Sequence, residues 1–245
     1  MPTPQFDNRL LKALPERDLL RLAPHLERVE LPLGATLYEM EDPIDWIHLP
    51  EVGILSLITV LKSGAALETS IVGRDGGIGL IEALGSGVMV SRVIVQIPGY
   101  AHRLRARAFR EAFDESPALR GIVHRHLERL LAETRQAVAC HSLHDIQPRF
   151  CRWLLECREF SGASDVMPLK QEFLAVMLGV SRTAVTRVAG EAQAAGLIRY
   201  ARGSLTILDK QGLEDAACEC RSSLLHLRRL LDAEPAPSVR AQHWA

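Results

Sequence analysis

No cysteine occurs in the first 139 residues, and only five follow: Cys140, Cys151, Cys157, Cys218 and Cys220. An odd, one-sided set of this kind is not the disulfide framework of a small secreted domain. Cys218-Glu-Cys220 leaves one residue between its thiols, too few for the usual zinc loop. Cys220 instead joins an apolar stripe on a last helix (Leu213, Ala217, Cys220, Leu224, Leu227, Leu231), and Cys218 falls off that stripe as an expected exposed thiol. The nine histidines lack metalloenzyme spacing; His124 and His126 would diverge on a helix. A metal-dependent barrel enzyme needs a His-x-His pair and a carboxylate, and the barrel region offers only His25, His48 and His102. An enzyme is therefore not expected, nor a metal or a cofactor. No apolar run approaches the roughly 20 residues that cross a bilayer. The first residues lack the basic and apolar regions of a signal peptide. The expected location is the cytoplasm, with no membrane partner. Net charge is only −1, so any polyanion site must be local.

What is present divides into two textures. In the first hundred residues, turn signals recur about every ten residues, at Pro32-Leu-Gly34, Asp42-Pro43, Ser63-Gly64, the glycine-rich 73–79, Gly85-Ser-Gly87 and Pro98-Gly99. Strand-like runs lie between them at 46–49, 53–61, 67–72 and 88–97. Short strands at such spacing predict an antiparallel barrel or jelly roll. A helical segment precedes it at 8–22, and another begins near Arg105. From 117 to 141 the pattern is helical, with an apolar stripe of Leu119, Ile122, Val123, His126, Leu127, Leu130, Leu131, Thr134, Ala137 and Val138. That stripe is wide enough to touch both its own barrel and a partner helix. Another helix follows from Asp145, with Pro148 tolerated in its first turn.

Residues 171–191 read as two short helices about a turn. Phe173, Leu174, Met177 and Leu178 keep helical spacing, and Gly179 breaks it where positive φ is cheapest. Ser181 can accept a backbone N–H in the first turn of the second helix. Ala184, Val185 and Val188 of that helix are expected inside, while Arg182, Thr183, Thr186 and Arg187 point elsewhere. Gly196 closes the helix, and 197–208 reads as a β-hairpin with Gly203 in its turn. Helix, turn, helix and hairpin make a winged helix. Between residues 168 and 208 there are five basic residues (Lys170, Arg182, Arg187, Arg199, Arg202) and two acidic ones (Glu172, Glu191), a local balance of +3. Guanidinium groups beside hydroxyls on an exposed helix suit duplex DNA.

Barrel, long helix and winged helix, in that order over roughly residues 8–210, resemble the Crp/Fnr family of bacterial transcription regulators. The most specific match is Gly179-Val-Ser-Arg-Thr-Ala-Val-Thr-Arg187, which is similar to the family's recognition-helix pattern, and His144-Asp-Ile-Gln-Pro-Arg-Phe150 resembles the hinge into the reader domain. The resemblance implies an α+β chain: an N-terminal antiparallel β-barrel or jelly roll, a long dimerisation helix and a C-terminal winged helix-turn-helix. The expected domains are a cyclic-nucleotide-binding-like sensor (1–108), a linker and dimerisation helix (109–141), a DNA-binding domain (142–212) and a last helix with a disordered tail (213–245). It implies base contacts from Arg182, Thr183, Thr186 and Arg187, and phosphate contacts from Lys170, Ser181, Arg199 and Arg202. Thr183 stands where the cyclic-AMP-binding member has Glu, so base preference there should differ. The implied partners are a palindromic double-stranded operator, a second copy of the chain, RNA polymerase and an unidentified small effector.

The sensor departs from the family. Cyclic-nucleotide binders have Gly-Glu for the ribose and Arg-Ser or Arg-Thr for the phosphate. Here Leu80 occupies the Glu position and Met89-Val90 the Arg-Ser position, with Ser91-Arg92 close by. Thr134 matches a base-contacting Thr, but Arg135 follows it. A buried nucleotide anion would be poorly compensated, so the nucleotide site reads as lost. Any effector pocket would draw on Arg74, Gly76, Gly77, Gly79, Arg92 and Thr134. The iron–sulfur mechanism of the family's oxygen sensors does not transfer, because no cysteine precedes Cys140. A haem- or redox-based sensor, with His48, His102 or His126 as a haem ligand, and a ligand-binding adaptor without DNA contacts are the alternatives.

Overall fold

The computed structural model describes residues 5–160, 162 and 164–232. The expected tail lies, from residue 233 on, outside the described residues. At the N-terminal end, α1 (Arg9–Lys12) is capped by Asn8, whose side chain accepts from Leu10 and Leu11 N–H. Pro15 stands immediately before α2 (Glu16–Leu22). The single helix expected over 8–22 is thus two, because a proline ring suits a helix start and not a helix interior.

Five strands follow: β1 (Glu27–Leu31), β2 (Thr36–Tyr38), β3 (Trp46–Val60), β4 (Ala66–Val72) and β5 (Arg92–Arg105). All pair antiparallel in the order β1-β5-β3-β4, with β2 also on β5, so the jelly roll is open and not a closed barrel. Two expected boundaries move. The runs 46–49 and 53–61 join as one strand, and β5 continues through Pro98-Gly99 where a turn was read. The reason is a shared bend: register shifts occur at Pro50/Val52 and Val52/Ile54. There Gly53 takes φ +100, with its missing Cβ directed at Ile97 O only 2.6 Å away, and a Cβ at Gly99 would collide with Val52 O. Glycine lets two long strands bend together without breaking the ladder. A short helix, α3 (Leu80–Leu84), occupies the stretch after the glycine-rich loop.

In the middle of this sheet, on β3 and β5, both faces are buried. Leu55, Val93 and Val95 face the sensor core with Leu11, Ile47, Leu104 and Phe109. Their neighbours Ile54, Ile58 and Ile94 face a second core shared with Phe150, Trp153, Leu154 and Met177. Burial on both sides explains why 53–61 reads as a continuous apolar run and not as an alternation.

The helical part begins with α4 (Ala106–Glu115) and α5 (Pro117–Leu143). Ser116 caps α5, accepting from Leu119 N–H at 3.0 Å, and Pro117 occupies the first turn. Then come α6 (Ile146–Phe160), β6 (Val166–Met167), α7 (Gln171–Leu178), α8 (Arg182–Ala194), β7 (Ile198–Ala201), β8 (Ser204–Ile207), α9 (Lys210–Ala216) and α10 (Cys220–Asp232). The strands form a small sheet ordered β6-β8-β7. The single last helix expected from Leu213 is interrupted, since Ala217 is extended (ψ 152°) between α9 and α10. That break lets α9 lie on α6 while α10 returns along α5.

Candidate nucleic-acid interface

The two helices of the reader meet at 101°. Gly179 sits in the left-handed region at φ +65, as the turn requires. Ser181 caps α8, its hydroxyl oxygen accepting from Ala184 N–H at 3.2 Å. Val185, Val188, Ala189 and Ala192 are buried, and Ala184 is only half-buried. At the far end Leu197 N–H donates to Ala192 O at 3.0 Å, with Gly196 at φ +74, the bond pattern of a Schellman cap. The wing turns through Arg202 (φ 51) and Gly203 (φ 76). Two positive φ values in a two-residue loop match a type I′ hairpin.

The face this leaves to solvent carries the sequence-predicted readers. Arg182, Thr183, Thr186 and Arg187 are all exposed. Arg187 is held along the helix by Glu191 at 2.8 Å, and Arg182 lies 3.9 Å from Glu172. Thr186 donates to Arg182 O at 3.0 Å, which engages its hydroxyl within the helix. Lys170, Ser181, Arg199 and Arg202 are exposed as well, and the Lys170 stem passes beneath the wing at Gly203. Ser181 has its oxygen engaged as a cap but keeps its O–H to donate, beside the positive end of the α8 dipole.

The sensor loop is occupied by the chain's own groups. His126 of α5 packs over Gly76, where an added Cβ would meet its Cε1 at 2.7 Å. Asp75 pairs with Arg129 at 3.5 Å, and Arg129 also donates to Asp75 O. Asn8 donates to Gly76 O at 2.8 Å, and Arg9 N–H to Arg74 O at 2.6 Å. The cavity beside Gly77, Gly79, Leu80 and Met89 measures about 10 Å³. Of the six pocket candidates, Gly77 and Gly79 line that cavity, Gly76 lies under His126, and Arg74 is held through its carbonyl by Arg9. Arg92 is directed to Glu39 at 2.8 Å on the sensor's rim, and Thr134 donates to Leu130 O at 2.8 Å within its own helix. Of the histidines named as haem candidates, His126 packs against Gly76 and Arg129, whereas His48 Nδ1 is buried without a hydrogen-bond partner among the described residues. His102 meets Glu51 at 2.9 Å, while burial, helped by Arg103 and Arg129 respectively, holds His48 and His126 down to about 4, neutral at physiological pH.

Two features lay beyond sequence reasoning. Where the sheet meets the reader, Trp153 Nε1 donates to Glu68 Oε1 at 2.8 Å, and Ser56 Oγ lies 2.5 Å from Glu68 Oε2 and 3.0 Å from Gln96 Oε1. Full burial pushes the Glu68 carboxyl up to about 8, against the opposing hydrogen bonds from Ser56 and Trp153. A protonated Glu68 donating to Ser56 frees the serine to donate to Gln96, which satisfies both acceptors. The second is a correction: Cys218 is buried, not an exposed thiol, with its Sγ 3.6 Å from Cys140 Sγ. The interruption after α9 turns it inward.

On α5 the apolar stripe divides. Leu119, Ile122, Val123 and His126 are buried within the chain, whereas Leu127, Leu131 and Val138 are 40%, 47% and 63% exposed. Among the described residues no single helix is long and apolar enough to cross a membrane.

Residues 148–216 match the family described as the Crp-like helix-turn-helix domain. The chain is 22% identical over 216 residues to the global nitrogen regulator of Synechococcus elongatus, covering 84% of this chain and 96% of that protein. It is 25% identical over 202 residues to the transcriptional regulatory protein btr of Bordetella pertussis, covering 77% and 80%. The solved structure of FixK2 from Bradyrhizobium japonicum superposes with a TM-score of 0.67 at 13% identity, over 79% of this chain and 98% of that one.

Proposed function

We propose that this chain, a DNA-binding transcription regulator of the Crp/Fnr family, acts as a homodimer that seats one α8 in each major-groove half-site of a palindromic operator. The observation that carries this reading is the exposed Arg182-Thr183/Thr186-Arg187 face, capped by Ser181 and flanked by the basic wing. Arg182, Thr183, Thr186 and Arg187 read base edges; Lys170, Ser181, Arg199 and Arg202 hold phosphates and set the register. The exposed Leu127, Leu131 and Val138 supply the seam between two copies of α5. Residues 1–108 are the sensor, 109–141 the shared helix and 142–212 the reader, working in the cytoplasm alongside RNA polymerase.

The sensor takes a signal other than a cyclic nucleotide. Supporting this, Asn8, Arg9, His126 and Arg129 use the loop's polar groups and its open space, Leu80 stands at the Glu position, and Arg92 is paired with Glu39 on the rim.

The decisive experiment enriches binding sites from a pool of random duplex DNA and titrates the best duplex against full-length protein. Wild type should enrich an inverted repeat. The Arg182→Ala/Arg187→Ala double variant, folded by circular dichroism, should lose preference for it over random duplex. Enrichment of no symmetric site, or unchanged preference in the variant, would overturn the assignment.

A further inference from the structure

We propose that Cys140, His144, Cys218 and Cys220 form a closed Cys₃His site for one zinc ion, clamping the end of α5 to the start of α10. The four ligand atoms lie within 4.8 Å of one another. Cys140 Sγ and Cys218 Sγ are 3.6 Å apart, and Cys220 Sγ is 3.5 Å from His144 Nδ1. A tetrahedral zinc with Zn–S near 2.3 Å sets sulfurs about 3.8 Å apart, so this spacing suits an ion between them. A disulfide would need about 2.05 Å. Cys140 lies on the last turn of α5, and His144 caps that helix in extended backbone with its N–H donating to Cys140 O at 3.2 Å, which keeps the two residues together.

The surroundings also fit. His144 turns Nδ1 to the thiols, and its Nε2 faces the Glu219 carboxylate at 3.9 Å. A carboxylate behind the non-ligating nitrogen orients a metal-bound imidazole. Gln136 Nε2 donates to Cys220 Sγ at 3.0 Å, a bond that strengthens when the sulfur is a thiolate. Arg149, buried beside the thiols, has no carboxylate within ion-pair distance among the described residues. A buried cation without a counter-charge is costly. Zinc with three thiolates and a neutral imidazole carries a net −1 and neutralises it. Binding releases three thiol protons and involves no redox step. With four protein ligands, the ion has no open position and is structural.

Its place gives it a role. His144 ends α5, and α6 of the reader begins at Ile146. A metal there fixes the angle at which the reader leaves the shared helix.

Full-length protein is purified under reducing, oxygen-free conditions, incubated with excess Zn²⁺ and desalted before elemental analysis. One zinc per chain is expected, and replacement with Co²⁺ should give thiolate charge-transfer and tetrahedral ligand-field bands. Cys218→Ser and His144→Ala should lose most of the metal, while Cys157→Ser, in the reader core, should keep it. His144→Cys should retain cobalt with a shifted ligand-field spectrum, which keeps the test decisive if Cys218→Ser fails to fold. Absence of bound zinc, cobalt without thiolate bands, iron with acid-labile sulfide, or a Cys140–Cys218 disulfide would each overturn the proposal.

Discussion

Arg187 and Arg202 carry positive charge with different consequences. Arg187 projects from the middle of α8, aimed along the helix by Glu191. Arg187→Ala should cost about 1–3 kcal/mol on the selected operator and relax base choice at one position. Arg202 sits exposed at the wing tip, where the proposed role is a phosphate contact. Arg202→Ala should weaken binding to every sequence alike and reduce the slope of log affinity against log salt by about one. Gel-shift titrations at several salt concentrations separate the two. Glu68 makes a different prediction. Its carboxyl is protonated in the folded chain up to about pH 8, whereas an unfolded glutamate ionises near 4.5. The folded state therefore holds a proton that the unfolded state has released. This stabilisation is fully present below about 4.5 and is lost as pH rises through about 8, with a slope of about 1.4 kcal/mol per pH unit across that window. Glu156 and Arg152 are the nearby charges and oppose one another. Glu68→Gln should remove this contribution from a plot of urea midpoint against pH between 5 and 8. An unchanged slope would mean that Glu68 ionises in the folded state.

Among the elements, α5 carries the clearest division of labour. Its first half is covered by the sensor, and its second half shows apolar side chains to solvent. Leu131→Glu would place a carboxylate opposite its symmetry mate in the seam, where neither is well solvated. Sedimentation should shift from dimer to monomer at micromolar concentration, and affinity for the inverted repeat should collapse while the circular dichroism stays native. Leu130 is a poorer choice for this test. It is half-buried and lines the small cavity beside the glycine-rich loop, so changing it would disturb the sensor as well.

For the whole molecule, the central fact is that the middle of the sensor sheet, β3 and β5, is covered on both sides. One side closes the sensor core, and the other carries the reader through Ile54, Ile58, Ile94, Trp153 and Met177. A change in strand position would be felt by reader helices in direct contact with it, which is a physical route from sensor to DNA-binding domain. Calorimetry with cyclic AMP and cyclic GMP should show no binding at micromolar concentration. The loop that would take their phosphate is filled by His126 and latched by Asn8, Arg9 and Arg129. Tight binding of either nucleotide would require that latch to open and would show the filled loop to be one state of two.

The order of the parts, the winged helix and the residues on its exposed face were legible in the chain. These rest on local physics: helical spacing of Leu174, Met177, Val185 and Val188, the positive φ that Gly179 and Gly196 supply, and the cap at Ser181. The strand ends at 50–53 and 98–99 were not legible, because a bend shared by two strands depends on a partner about 45 residues away in the chain. Tertiary packing alone covers β3 and β5 on both sides, fills the glycine-rich loop from α5 and turns Cys218 inward. Cys140 and Cys218 are separated by 78 residues and meet because α10 folds back on α5. No periodicity or spacing in the chain encodes such a meeting; it follows from how distant segments pack.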